Sequence, residues 1–187
     1  MPGLLGSART DPALRGRRGT RRIVGFLLMS LGVGAISGLL WARVVTLPGY
    51  RVGPDGGAST TERGLAGFIG GDAWFSALGL LLGALLGLLG WRLFRRSGWF
   101  VPPLVVLVAL GSAVTCWVVG HQLGPGPFEP RLAAAQPGDL VPIDLTLRAK
   151  VSLLVWPFAA VIPVLLGSSL GRDEEEPAAL FPRGARD

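Results

Sequence analysis

Four times this chain runs for about twenty residues without a charged side chain, the length a helix needs to cross a membrane. The runs lie between Arg22 and Arg43, Asp72 and Arg92, Arg96 and His121, and Lys150 and Arg172. A helix rising about 1.5 Å per residue covers the roughly 30 Å of hydrocarbon in each run. Lipid offers no partner for backbone N–H and C=O groups, so each run must satisfy its own backbone as a helix. The period-2 alternation of a transmembrane barrel is missing. The expectation is an all-α polytopic membrane protein, with four transmembrane helices in an up-down bundle and two external loops. The spans fall at 23–45, 73–94, 100–119 and 151–170, and the loops at 46–72 and 120–150. Residues 1–22 read as a disordered basic segment, and 171–187 as a disordered charged tail.

Composition agrees. Half of the residues are hydrophobic, mean hydropathy is +0.51 and 16% are charged, against about 25% in an ordinary soluble domain. One cysteine, Cys116, excludes an internal disulfide, and one histidine, His121, excludes paired-histidine metal motifs. The first run is longer than the hydrophobic region of a signal peptide and lacks a clear cleavage motif, so it is expected to stay as a span.

Orientation follows from lysine and arginine. Arg9, Arg15, Arg17, Arg18, Arg21 and Arg22 precede the first span. Arg95 and Arg96 sit between the second and third spans, with Arg92 just before them, and Arg172, Arg183 and Arg186 lie in the tail. The two longer loops hold Arg43, Arg51, Arg63, Arg131, Arg148 and Lys150, interspersed with acids. Arginine-dense short segments stay on the cytoplasmic side, which places both termini inside a bacterial plasma membrane. The basic N-terminus is expected to attract anionic lipids, and nucleic acid is not expected as a partner. All six tryptophans, Trp41, Trp74, Trp91, Trp99, Trp117 and Trp156, fall near proposed span ends, where an indole can keep its N–H wet.

The second run contains "GLLLGALLGLLG", with Gly79, Gly83, Gly87 and Gly90 sharing one helical face. Such a face lets another backbone come close. Ser30, Gly34, Ser37 and Gly38 form a comparable face on the first run. Because a single loop tethers the two helices, these two faces are favoured as mutual partners, ahead of a homodimer. Pro157 and Pro163 are expected to kink the fourth helix, and Pro102 and Pro103 suit the first turn of the third.

No ionisable side chain stands in the middle of a span, where proton-coupled carriers and pumps keep one. Thr115 and Cys116 read as packing residues. Outside the membrane, Arg43, Glu62, Arg63, Asp72 and His121 form a candidate external polar cluster. Asp72 is placed to cap the second helix, and His121 to act as an acid, a base or a pH sensor. In the loops, "STTERGLAGFIGG" suits a short amphipathic helix, and "DLVPIDLTLRAK" alternates weakly, as an extended piece would. No catalytic constellation, cofactor motif or metal-ligand spacing emerges.

Three stretches, "WARVVTLPGYRVGPDGG", "GDAWF" and "WVVGHQLGPG", give the chain over roughly residues 36–170 a pattern that resembles a family of uncharacterised actinobacterial four-helix membrane proteins. The resemblance implies four spans and a plasma membrane, and carries no site residues. The functional expectation is a non-enzymatic accessory or scaffold subunit of a cell-envelope or membrane complex, acting on a protein partner or as a homo-oligomer. The alternative is a small-solute transporter or channel working as an oligomer.

Overall fold

The computed structural model describes residues 12–60, 67 and 69–170. The chain is mostly helical. In order, the elements are α1 (Pro12–Val44), β1 (Gly49–Val52), β2 (Ala58–Ser59), α2 (Gly70–Phe94), α3 (Val101–Leu123), α4 (Phe128–Ala133), β3 (Leu140–Pro142) and α5 (Val155–Leu170). A 3-10 turn, Arg95–Phe100, joins α2 to α3, and a second one, Lys150–Leu154, leads into α5.

Three helical stretches are long and apolar enough to cross a membrane: Gly19–Val44, Gly70–Ala133 and Lys150–Leu170. The middle one is not a single rod. Gly98 has φ 65° and ψ −135°, a conformation open to glycine at little cost, and it breaks the helix between α2 and α3. Pro102 and Pro103 then occupy the first turn of α3, where N–H groups have no helical partner to lose. Helix α1 starts at Pro12, so the expectation of disorder over 1–22 fails for 12–22. Leucine and arginine are good helix formers, and a span already nucleated extends at little further cost. Residues 1–11 and the tail 171–187 lie outside the described residues.

The helices pack as two close pairs, α1 with α3 and α2 with α5, and contacts between α3 and α5 join the pairs. Helices α1 and α2 meet through aromatic rings at the two ends of α2. Phe26 and Phe94 meet at one end, with ring centroids 5.7 Å apart, and Trp41 and Phe75 at the other, 5.4 Å apart. The core has two apolar clusters. One gathers Phe26, Leu86, Phe94, Val105, Val108 and Val164 toward the Arg95–Phe100 turn. The other gathers Trp41, Phe75, Cys116, Leu145, Leu147 and Trp156 beneath the loops. Many leucines, among them Leu28, Leu81, Leu85, Leu107 and Leu165, point outward. That outward face suits lipid, which is as apolar as leucine. The protein is therefore a membrane protein whose helices contact the bilayer.

The two long loops form one structure. Strand β1 is central in a three-stranded antiparallel sheet of order β2-β1-β3. Arg51 pairs with Ser59 on one side and with Leu140 on the other. The hairpin turn closes through the Asp55 carboxylate, which accepts the Gly57 N–H at 3.1 Å, with Gly56 at φ 77°. Ladder bonds continue beyond the short strands, with Val52 N–H donating to Asp139 C=O at 3.0 Å and Ile143 N–H to Pro48 C=O at 3.0 Å. After β3 the chain stays extended, and Val141, Ile143, Leu145 and Leu147 are all buried while the residues between them are half-exposed. The alternation legible in the sequence is real, and it folds this segment down as a lid on the helix ends.

Candidate functional site

The glycine face of α2 is filled by α5, not by α1. A methyl group on Gly87 would overlap the Ala160 carbonyl, and one on Gly83 the Trp156 carbonyl. On Gly79 it would lie 2.5 Å from the Trp156 indole. Gly90 differs, facing Val105 of α3 and the Phe26 ring of α1. The small face of α1 is filled by α3: Gly34 lies against the Ser112 carbonyl, and a methyl on Gly38 would come within 2.6 Å of the Cys116 carbonyl. The expected mutual pairing of the two small faces is thus overturned. Each face does accept a neighbouring backbone, where dispersion and weak Cα–H···O contacts add up. But the tether between α1 and α2 is spent on the β1–β2 hairpin, and α3 and α5 also carry small residues at the matching heights. Ala113, Ala159 and Ala160 are buried there.

Buried hydroxyls at these interfaces bind carbonyls. Ser30 Oγ donates to Phe26 C=O at 2.7 Å, and Ser37 Oγ to Val33 C=O at 2.6 Å. Ser112 Oγ lies 2.8 Å from Ser30 C=O and 3.0 Å from Val108 C=O, so one hydroxyl shares its hydrogen between α1 and its own helix. Sequence reading missed Ser112. The signal was there: a small polar residue on the face that also holds Ala109, Ala113 and Cys116. Thr115 donates to Gly111 C=O at 2.8 Å, within its own helix, and Cys116 is buried.

Two tryptophans are not interfacial anchors. Trp41 and Trp156 are both 0% exposed. The Trp41 Nε1–H donates to Gly71 C=O at 2.8 Å, and its ring packs on Gly120. Phase along the helix decides this outcome, since the same depth admits an inward or an outward ring. Trp74 and Trp99 do project outward, Trp99 being 85% exposed. The Nε1–H groups of Trp117 and Trp156 are buried without a hydrogen-bond partner among the described residues.

Of the expected external polar residues, Asp72 and His121 each bind main-chain groups of the segment after β3. Asp72 makes no capping bond to α2. Its carboxylate instead accepts the N–H groups of Arg148 at 3.1 Å and Ala149 at 2.7 Å. His121 Nδ1–H donates to Leu145 C=O at 2.9 Å, since a carbonyl oxygen can only accept. Asp72 and His121 therefore hold the same lid segment at two points, from α2 and from α3. Arg43 is exposed at the end of α1. Glu62 and Arg63 lie outside the described residues, as does most of the proposed amphipathic helix. Pro157 falls in the first turn of α5, directly after the 3-10 turn, while Pro163 is interior. Among the described residues, no group of three or more His, Cys, Asp or Glu could hold a metal ion.

The fold and these contacts define a helical membrane protein whose two long loops are tied into one lid. Comparison with family models, curated proteins and solved structures gave no match.

Proposed function

We propose that the chain is a non-enzymatic accessory or scaffold subunit of a membrane or cell-envelope complex. On this reading α1, α2, α3 and α5 each cross a bacterial plasma membrane, with both termini on the cytoplasmic side and the lid outside. The break at Gly98 supports four crossings, because α2 and α3 fold back on each other and each is long enough to span. The arginine distribution supports the orientation.

One observation carries the functional reading: the helix pairs close backbone against backbone. Gly34 and Gly38 lie on α3 carbonyls, and Gly83 and Gly87 on α5 carbonyls. Those seams leave no room for a water-filled path, and the serines within them are spent on carbonyls. A static core under a tied lid suits a protein that presents surface to a partner. Reconstitution in liposomes, with a parallel mild-detergent purification, tests this. The expected result is no flux of ions or small solutes above empty liposomes, together with a partner at fixed stoichiometry. Saturable flux through the purified protein would replace the scaffold with a transporter or channel.

A further inference from the structure

At the end of the molecule opposite the lid, a cleft of about 340 Å³ opens between α1 and the α2–α3 turn. Arg22 of α1, Arg92 in the last turn of α2, and Arg95 and Arg96 of the 3-10 turn all line it. Ile23, Leu93 and Phe94 supply apolar walls, and Phe94 is itself buried against the Phe26 ring. Gly19 adds no side chain, and Ser97 lends a hydroxyl. Among the described residues, no carboxylate lines it.

Two ordinary explanations account for part of this. A helix C-terminus attracts cations, but its macrodipole amounts to about half a negative charge, against four guanidiniums. Topology requires arginines on one side of the membrane, but it does not require Arg22 from one helix to converge with three arginines from another around a shared cleft. All four arginines are exposed, and like charges lining one cleft repel one another across water, a repulsion that an anion among them relieves. Guanidinium groups bind phosphate through paired N–H donors, and basic pockets between membrane helices suit phosphate head groups. Exposed Trp99 and Phe100 stand beside the cleft, as aromatic residues do at a membrane interface.

We propose that this arginine cleft binds a phosphate group, held between Arg22 and the Arg92, Arg95 and Arg96 set, with the apolar walls receiving the start of an acyl or glycerol moiety. The site stands independently of the scaffold reading. The phosphate can belong to an anionic phospholipid or to a soluble phosphate compound, and two probes distinguish these sources. Full-length protein in neutral detergent is titrated, at constant ionic strength, with phosphatidylglycerol in mixed micelles and separately with inorganic pyrophosphate. Thermal stability and tryptophan emission are the readouts.

The expected result is saturable binding of at least one probe. Saturation by phosphatidylglycerol alone assigns a lipid, and saturation by pyrophosphate assigns a soluble ligand. Arg22→Gln with Arg96→Gln is expected to weaken that binding at least tenfold, and Arg22→Lys with Arg96→Lys by an intermediate factor, because charge remains while the paired donors are lost. Arg43→Gln with Lys150→Gln removes equal charge at the lid end and is expected to change binding less than twofold. Circular dichroism verifies that each variant is folded. Absence of saturation by either probe, or equal weakening in the cleft and lid-end variants, would overturn the site.

Discussion

Gly87 of α2 lies against the main-chain carbonyl of Ala160 in α5, so close that even one methyl group cannot fit between them. This contact sets the spacing of the α2–α5 pair, and Gly83 against Trp156 repeats it about a turn away. Everything at the lid end depends on it, because α5 brings Trp156 beneath the lid and α2 brings Phe75 to meet it, with ring centroids 5.8 Å apart.

Gly87→Ala is expected to destabilise the protein despite the better helix propensity of alanine. Propensity favours alanine by about 1 kcal/mol, while forcing a group into a filled interface costs about 1–3 kcal/mol and more when backbone must move. A methyl group on Gly32 would meet nothing within 4 Å, and Gly32→Ala is expected to be neutral or slightly stabilising. Unfolding in mixed detergent, followed by circular dichroism, separates the two.

Trp41→Phe should cost more than Trp156→Phe. The first change leaves the Gly71 carbonyl without its buried donor, a loss of about 1–3 kcal/mol. The second removes an N–H that has no partner among the described residues, so only ring volume is lost. Equal losses in the same unfolding measurement would contradict this account of the two indoles.

The lid predicts a local effect. Asp72→Ala removes the acceptor of two backbone N–H groups, and the amides of Arg148 and Ala149 should exchange hydrogen at least tenfold faster while those of α2 and α3 stay protected. Exchange by mass spectrometry reads this directly. Global loss of protection would mean that Asp72 supports the whole fold and not one tie.

Cross-loop register offers another check. Arg51 and Leu140 are partners across β1 and β3, and both are exposed. Arg51→Cys with Leu140→Cys should oxidise to a disulfide linking the two loops, identifiable as a joined peptide. Arg51→Cys with Val141→Cys should not, because a one-residue slip turns the second side chain to the buried face.

How far the sequence exposes this structure depends on the kind of information. The long apolar helices are legible because a charged residue is costly in hydrocarbon, so Arg22, Arg43, Asp72 and Arg92 bracket apolar runs that chemistry imposes. The lid's burial is legible at Val141, Ile143, Leu145 and Leu147, since alternation is local. Helix partnership is not local. The small faces around Gly34 and Gly83 each fit any backbone of suitable spacing, and chain order favoured the wrong pairing. Asp72 beside a helix start reads as a cap, and only the return of Arg148 and Ala149 from far along the chain shows what it holds. The pairing of β1 with β3 is equally remote.

Helix partnership is the central claim, and cysteine trapping in the native bilayer tests it most directly. In a Cys116→Ala background, Gly83→Cys with Ala159→Cys joins α2 to α5, where the two β-carbons would lie 3.2 Å apart, and Gly38→Cys with Val119→Cys joins α1 to α3, at 3.0 Å. A β-carbon at Gly83 or Gly38 also meets the main-chain carbonyl of Trp156 or Cys116, so the helices must part by somewhat under an ångström, which brings the paired β-carbons to the roughly 3.8 Å typical of a disulfide. Both pairs are expected to form intramolecular disulfides on mild oxidation, while Gly34→Cys with Gly83→Cys remains reduced. Rapid oxidation of the Gly34→Cys/Gly83→Cys pair, with the other two unreactive, would show that α1 and α2 face each other and contradict the fold described.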